Sequence, residues 1–108
     1  RLFVSGRDDD MVISGGENVF PRELEDALID HPGISDVVVT GIPDRDWGQC
    51  LAAYVVVREG QTVTEPEIVA YAKERVARFA VPRRTMFIEE LPRNPTGKVM
   101  KRELPPFE

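Results

Sequence analysis

Apolar residues recur at helical spacing behind Pro21, where Leu24, Ala27 and Leu28 lie three to four positions apart. Charged residues occupy the other faces of this segment. Proline suits the first turn of a helix, because the N–H group that it lacks would have no partner there. The sequence HPG at residues 31–33 then interrupts the pattern. These features predict a first helix that begins near Pro21.

A second helical pattern follows a capping box, in which Thr64 is the cap and Glu67 stands three residues later. We expect this helix to run to about Phe79, where Val81 and Pro82 end it. Its predicted buried stripe comprises Ile68, Ala72, Val76 and Phe79.

Runs of β-branched and apolar residues predict strands. Residues 34–42 and 51–57 are expected to form an antiparallel pair, joined by a turn of several residues in which Trp47 plugs the core at the sheet edge. Residues 85–88 predict a third strand, and residues 2–5 a short one. The predicted fold class is α+β: a small domain with a short two-stranded ribbon and a roughly three-stranded antiparallel sheet, flanked by two or three helices.

Composition narrows the class of protein. The chain has 108 residues, of which 42% are hydrophobic, enough for one domain with a modest core. Its single cysteine, Cys50, excludes an intrachain disulfide and fits a reducing compartment. The net charge of −5 argues against a general nucleic-acid-binding protein. No run is long enough to span a membrane and no signal peptide is visible, so we predict a cytoplasmic protein. The missing initial Met suggests a fragment.

The loops carry more candidate chemistry than the core. Gly97 and two prolines make residues 92–98 a loop that presents Lys98. A lysine ammonium suits a phosphate or a carboxylate, and such a contact is worth roughly 4 kcal/mol at ~4 Å and an effective dielectric of ~20. The alternative is an ordinary surface lysine. A second basic group is a solvated helix face or a phosphate site, and comprises Lys73, Arg75 and Arg78.

Other loop residues permit several interpretations. Gly15 and Gly16 allow positive φ angles and close approach of a ligand, although a tight turn also explains them. They match neither a dinucleotide fingerprint nor a P-loop. The acidic residues 8–10 lack the spacing of a calcium loop, which favours a solvated turn over a metal site. His31 has no second histidine or cysteine nearby, which favours a helix-terminal role.

Two motifs resemble a known family. Residues 6–25, GRDDDMVISGGENVFPRELE, resemble the start of the C-terminal domain of the AMP-forming acyl-CoA synthetases and ligases, a superfamily that includes peptide-synthetase adenylation domains and firefly luciferase. The sequence PRNPTGK at residues 92–98 resembles the last motif of that domain. The order and separation of the two motifs are specific, and the resemblance covers nearly all of the chain.

The resemblance implies a reaction in two steps. A fatty or aryl carboxylic acid and ATP first give an acyl-adenylate and pyrophosphate, and the acyl group then passes to the thiol of coenzyme A. The chain, residues 1–108, would be the mobile C-terminal domain of a larger enzyme. A large N-terminal domain would be its partner and would hold the acid, ATP and most of the contacts to Mg²⁺. The isolated chain is therefore expected to be inactive.

The resemblance also implies roles for individual residues. Lys98 matches the adenylation lysine, which reaches the carboxylate and the α-phosphate. Asp9 matches the hinge, near residues 7–10, and Arg7 matches a residue that approaches the nucleotide. Coenzyme A and its pantetheine arm are expected to contact Gly15, Gly16 and Lys73.

One departure affects the class of substrate. Asn18 stands where many members of the family carry arginine, and the GGEN sequence favours ligases for fatty or aryl acids. Two alternatives stay open: a non-catalytic interaction or regulatory module with the same fold, and an adenylation domain that serves a carrier protein.

Overall fold

The computed structural model describes residues 11–100 and 103–107. The predicted strand at residues 2–5 lies outside this range. The described elements, in chain order, are β1 (Val12–Ser14), β2 (Glu17–Val19), α1 (Pro21–Ile29), β3 (Ile34–Asp44), β4 (Gly48–Val57), α2 (Glu65–Lys73), a 3-10 helix (Arg78–Ala80) and β5 (Arg84–Phe87). Strands β1 and β2 form a two-stranded antiparallel ribbon, and β3, β4 and β5 form a sheet in that order. The prediction of an α+β fold with a ribbon and a three-stranded sheet is confirmed.

The long hairpin of β3 and β4 is the framework of the domain. The two strands pair antiparallel from Ile34 opposite Val57 to Asp44 opposite Gly48, as predicted. The connection is shorter than expected, because only residues 45–47 separate the strands. Asp44 Oδ2 accepts the backbone N–H groups of Asp46 at 3.1 Å and Trp47 at 2.8 Å, which closes the turn.

The direction of β5 corrects the prediction of a purely antiparallel sheet. β5 pairs parallel to β4, with Ala52 opposite Arg84 and Val55 opposite Phe87. Between them the chain passes through α2 and the 3-10 helix. A crossover of this kind returns the chain to the same end of the sheet, which a parallel neighbour requires.

The helix α2 ends at Lys73, before the predicted end near Phe79. The backbone N–H groups of residues 75 and 76 both donate to the Ala72 carbonyl at 2.9 Å, and Ala77 is extended with ψ at 160°. The 3-10 helix then places the Phe79 ring edge-on to Trp47, with 4.8 Å between the ring centroids. The predicted stripe still faces the core, but its last residues reach it from outside the helix.

Both faces of the hairpin are covered. The helices pack on one face, where Leu24, Leu28 and Ile68 are fully buried. On the opposite face, Val38 and Tyr54 pack against residues of the segment that follows β5, and we call this group the back cluster. The residues of that segment in the back cluster include Leu91, Val99, Leu104 and Phe107. The Tyr54 hydroxyl donates to the Pro105 carbonyl. Residues 50–55 of β4 are consequently all buried, including Cys50, and burial raises the pKa of its thiol.

His31 closes the end of α1, as predicted. Its Nδ1 accepts the Gly33 backbone N–H at 2.9 Å, and its Nε2 lies 2.9 Å from Glu67 Oε2 on α2. The ring also packs edge-on against Tyr71 at 4.8 Å. The imidazole therefore joins the two helices and is engaged at both nitrogens.

The turn between β3 and β4 should make stability depend on pH. The hydrogen bond from the Trp47 N–H, with the nearby Arg83 guanidinium, lowers the pKa of Asp44 below its ordinary value. A carboxylate with a lowered folded pKa stabilises the fold above its unfolded pKa, and this contribution is lost as the pH falls through the folded pKa. Asp44→Asn should therefore lower the urea midpoint at neutral pH, and its difference from the wild type should shrink as the pH falls below about 4.

Asp26→Asn is the matched control, since within the described residues Asp26 makes only an exposed pair with Arg22 at 3.7 Å. An Asp44→Asn effect of the same size at neutral and acid pH would contradict this interpretation.

Candidate functional site

The loop that carries Lys98 has a fixed backbone. Residues 93 and 99 form an antiparallel bridge across it. The Asn94 N–H donates to the Lys98 carbonyl at 2.9 Å, and the Lys98 N–H donates to Asn94 Oδ1 at 3.0 Å. Gly97 adopts a φ of 91°, which a residue with a side chain rarely accepts. Lys98 therefore extends from a closed turn.

The surroundings of Lys98 leave its ammonium open to an external anion. Its side chain is exposed, and no ion pair of Lys98 is found among residues 11–100 and 103–107. Behind it, Val99 is half-buried in the back cluster and the Met100 N–H donates to the Pro92 carbonyl at 2.8 Å. Residues 99 and 100 thus anchor the chain behind Lys98. A cation held in this way can stabilise charge on a phosphate or a carboxylate.

The two glycines of the ribbon turn have different surroundings. The Gly15 N–H donates to the Trp47 carbonyl at 3.0 Å, and a Cβ at Gly15 would lie 2.3 Å from Cε1 of Phe79. A Cβ at Gly16 would meet nothing within 4 Å. Gly15 is therefore required for packing, whereas Gly16 faces open space beside it.

A groove of about 610 Å³ lies between Trp47 and the segment from α2 to β5. Its lining combines apolar side chains, which we call the floor, with cationic side chains, which we call the rim, and it suits a ligand with both apolar and anionic parts. Trp47 forms one wall and also packs against Phe79, the ring that covers Gly15. The remaining lining residues are Val69, Lys73, Val76, Arg78, Val81, Pro82 and Arg83.

The basic side chains near the groove differ in their partners. Arg83 stacks over the Trp47 ring at 4.2 Å and pairs with Asp44 at 3.0 Å. Lys73 is exposed, and the described part of the chain contains no ion pair of Lys73. Arg75 instead covers the Tyr71 ring at 3.6 Å, and is absent from the lining. Of the predicted basic cluster, only Lys73 and Arg78 line the groove.

The lysine loop and the groove lie at opposite ends of the hairpin. Arg93 of the loop contacts Asp36 near the start of β3, whereas Trp47 lies just past its end at Asp44. Eight residues of strand at about 3.3 Å each separate Asp36 from Asp44, or roughly 26 Å. The loop also packs on the back face, while Val76 and Val81 of the groove pack on the helical face. One small ligand cannot contact both features at once.

Two predicted site residues, Arg7 and Asp9, lie outside the described residues, as does the acidic run at 8–10. Within residues 11–100 and 103–107, no group of three or more metal-ligating side chains is found. No helix in this part of the chain is long and apolar enough to cross a membrane.

Comparison with known protein families shows which family the chain belongs to. Residues 23–98 match the AMP-binding enzyme C-terminal domain. The chain belongs to this family. The resemblance inferred from the motifs at residues 6–25 and 92–98 is thus confirmed.

The domain is similar to parts of several CoA ligases. It is 48% identical over 100 residues to the long-chain-fatty-acid–CoA ligase FadD13 of Mycobacterium tuberculosis, covering 93% of this chain and 20% of that protein. It is 44% identical over 103 residues to the 2-succinylbenzoate–CoA ligase of Bacillus mycoides, covering 95% and 21%. The crystal structure of ATP-bound MatB from Rhodopseudomonas palustris matches with 36% identity and a TM-score of 0.81, covering 87% and 19%. The chain thus spans about one fifth of the length of these relatives.

Several features of this family domain were missed by sequence reasoning. Trp47 was expected in the core but is half-buried at the tip of the hairpin, where it forms a wall of the groove. Arg83 follows the predicted helix break, and no sequence pattern indicated a role for it. Its position beside Trp47 depends on the crossover that brings β5 next to β4.

Alanine at the two glycines should separate their roles. Gly15→Ala forces a Cβ into a ring held by Trp47 and retains a φ of 59°, so we expect a loss of about 2 kcal/mol or more in the free energy of unfolding. Gly16→Ala should cost only the backbone strain, about 1 kcal/mol. Urea unfolding of both variants measures the difference, and equal losses would contradict the packing role of Gly15.

Proposed function

We propose that the chain is the mobile C-terminal domain of an ATP-dependent, AMP-forming acyl-CoA ligase. The whole enzyme would convert a fatty or aryl carboxylic acid, ATP and coenzyme A to an acyl-CoA, AMP and pyrophosphate. The observation that carries the proposal is the presence of an anchored, exposed lysine at one end of the hairpin and a cation-rimmed groove at the other. Membership of the family and the CoA-ligase relatives support it.

The first feature suits adenylation. When a carboxylate attacks the α-phosphate of ATP, negative charge increases on the phosphate oxygens, and a preorganised cation stabilises the transition state. Lys98 would supply this charge from a fixed position on the chain, because its backbone N–H and carbonyl groups are both hydrogen-bonded. The larger N-terminal domain would bind ATP, the acid and Mg²⁺, and Arg7 would approach the nucleotide from this domain.

The second feature suits coenzyme A. The adenosine end of this molecule carries several phosphate charges next to an apolar base, which corresponds to the rim and floor of the groove. Lys73 and Arg78 would contact the phosphates. The pantetheine arm would pass the ribbon turn, where Gly16 presents no side chain to the open space and Gly15 keeps the turn against Phe79.

The separation of the two features supports a rotation of the domain. An acyl group at one site of the large domain cannot meet both features while they lie on opposite faces and roughly 26 Å apart. We therefore propose that the domain turns between the half-reactions about a hinge near residues 7–10, with Asp9 as the hinge residue. A cytoplasmic location would provide ATP and coenzyme A and keep Cys50 reduced.

The main alternative concerns the molecule that accepts the acyl group, which is either free coenzyme A or the pantetheine of a carrier protein. A carrier protein would present pantetheine through a single phosphodiester without adenosine. The several cations that line the groove suit the several phosphates of free coenzyme A better than this single phosphodiester, which favours free coenzyme A as the acceptor. An interaction module without chemistry would need neither the exposed Lys98 nor the groove.

Lys98→Ala in the full-length enzyme should slow adenylation by about 10²–10³-fold, because it removes one preorganised charge. Pyrophosphate release that depends on the added carboxylic acid substrate measures this step. Thioester formation from added acyl-adenylate measures the second step and should stay near the wild-type rate. Asp9→Pro is the contrasting variant, because a restricted hinge should slow the second step more than the first.

If Lys98→Ala retains full adenylation, the proposed reaction role is wrong and the interaction module becomes the better hypothesis.

Charge reversal in the groove should weaken binding of coenzyme A. We expect Lys73→Glu and Arg78→Glu each to raise the KM for coenzyme A by about tenfold, while pyrophosphate release is unchanged, because each adds a repulsive charge to a phosphate site. Arg22→Glu on α1 is the matched control, since it makes the same charge change away from the groove. If the control raises the KM equally, the effect is one of net charge and the groove is not the site.

A further inference from the structure

One side chain attaches the lysine loop to the sheet. Arg93 Nη1 donates to the Gly97 carbonyl at 2.7 Å, and Arg93 Nη2 donates to Asp36 Oδ2 at 2.6 Å. The Gly97 carbonyl belongs to the peptide group that joins Gly97 to Lys98. The guanidinium therefore connects the peptide directly before the lysine with a carboxylate of β3.

The loop is internally rigid. Asn94 Oδ1 accepts the Thr96 N–H at 3.1 Å, the Thr96 hydroxyl at 2.6 Å and the Lys98 N–H at 3.0 Å. These bonds fix the shape of the loop but not its orientation on the domain. Among the described residues, the Arg93 side chain is the charged link between this loop and the β3–β4 hairpin.

The other end of the bridge is equally well fixed. Asp36 lies at an irregularity in the register of β3, and its Oδ1 accepts the Val37 N–H at 2.9 Å. Its side chain is 29% exposed and that of Arg93 is 42% exposed. An ion pair this close to solvent contributes little to stability. The planar guanidinium of Arg93, which bonds at two points, instead constrains the orientation of the lysine loop. A lysine at position 93 could not do this.

We propose that Asp36 and Arg93 form a positioning pair that orients Lys98 for adenylation. The proposal rests on the proposed function of Lys98. Neither side chain needs to contact the nucleotide, since both act through the Gly97–Lys98 peptide. Catalytic groups are sensitive to such placement, and an error of about 1 Å can cost about 10²-fold in rate.

The test uses the full-length enzyme and separates the two half-reactions. Arg93→Ala should lower the kcat of acid-dependent pyrophosphate release by about 10–100-fold, with the KM for ATP changed less than about twofold. Thioester formation from added acyl-adenylate should stay within about twofold of wild type. Asp36→Asn should give a smaller loss, and the double variant should be no slower than Arg93→Ala, because one link is removed in either case.

A second series distinguishes positioning from general structure. If Arg93 acts through Lys98, then Arg93→Ala should cause no further loss of adenylation in a Lys98→Ala background. Arg93→Lys keeps the charge but not the two-point contact, and should recover only part of the rate. Arg22→Ala breaks an exposed pair on α1 and is the control for both the rate and the thermal midpoint.

The results that overturn the proposal are distinct. Adenylation by Arg93→Ala within twofold of wild type, equal losses in both half-reactions, or a further loss in the Lys98→Ala background would each show that the pair does not position the lysine. If Lys98→Ala itself leaves adenylation intact, the proposed function and the positioning pair are both wrong. If Lys98→Ala slows adenylation and Arg93→Ala does not, only the positioning pair is wrong.

Discussion

The hydrogen-bonded ladder between β3 and β4 fixes the position of every other element of the domain. It extends without a long loop from Ile34 to Val57, and its inner residues are covered on both faces. Helices bury one face and the C-terminal segment buries the other. The lysine loop and the groove lie at opposite ends of this covered strand pair. Different chemistry at the two ends of one body is what the proposed rotation of the domain would require.

Four basic residues of the lysine loop and the groove divide into two kinds. Arg83 and Arg93 are paired with carboxylates of β3, and each also contacts a second group, an indole ring in one case and a backbone carbonyl in the other. Lys73 and Lys98 are exposed and lack ion pairs within the described part of the chain. This division follows the chemistry of the side chains, because a planar guanidinium fixes geometry and a lysine ammonium is a mobile point charge.

The sequence pattern predicted the elements whose conformation is determined by neighbouring residues. The proline at the start of α1, the β-branched runs of the hairpin and the proline-glycine loop around Lys98 were all readable from neighbouring residues. The direction of β5 and the early end of α2 were not, because they depend on where the crossover packs. For the same reason the link between Asp36 and Arg93, 57 positions apart, and the different surroundings of the two ribbon glycines required the structure.

The parallel pairing of β5 also affects the order of folding. Only residues 45–47 must be closed to pair β3 with β4, whereas residues 58–83 must be closed before β5 can join the sheet. Longer connections cost more entropy and slow the pairing of strands. The groove includes residues 81–83, just before β5, and the lysine loop follows soon after it. We therefore expect both features to form after the hairpin, which by itself possesses neither.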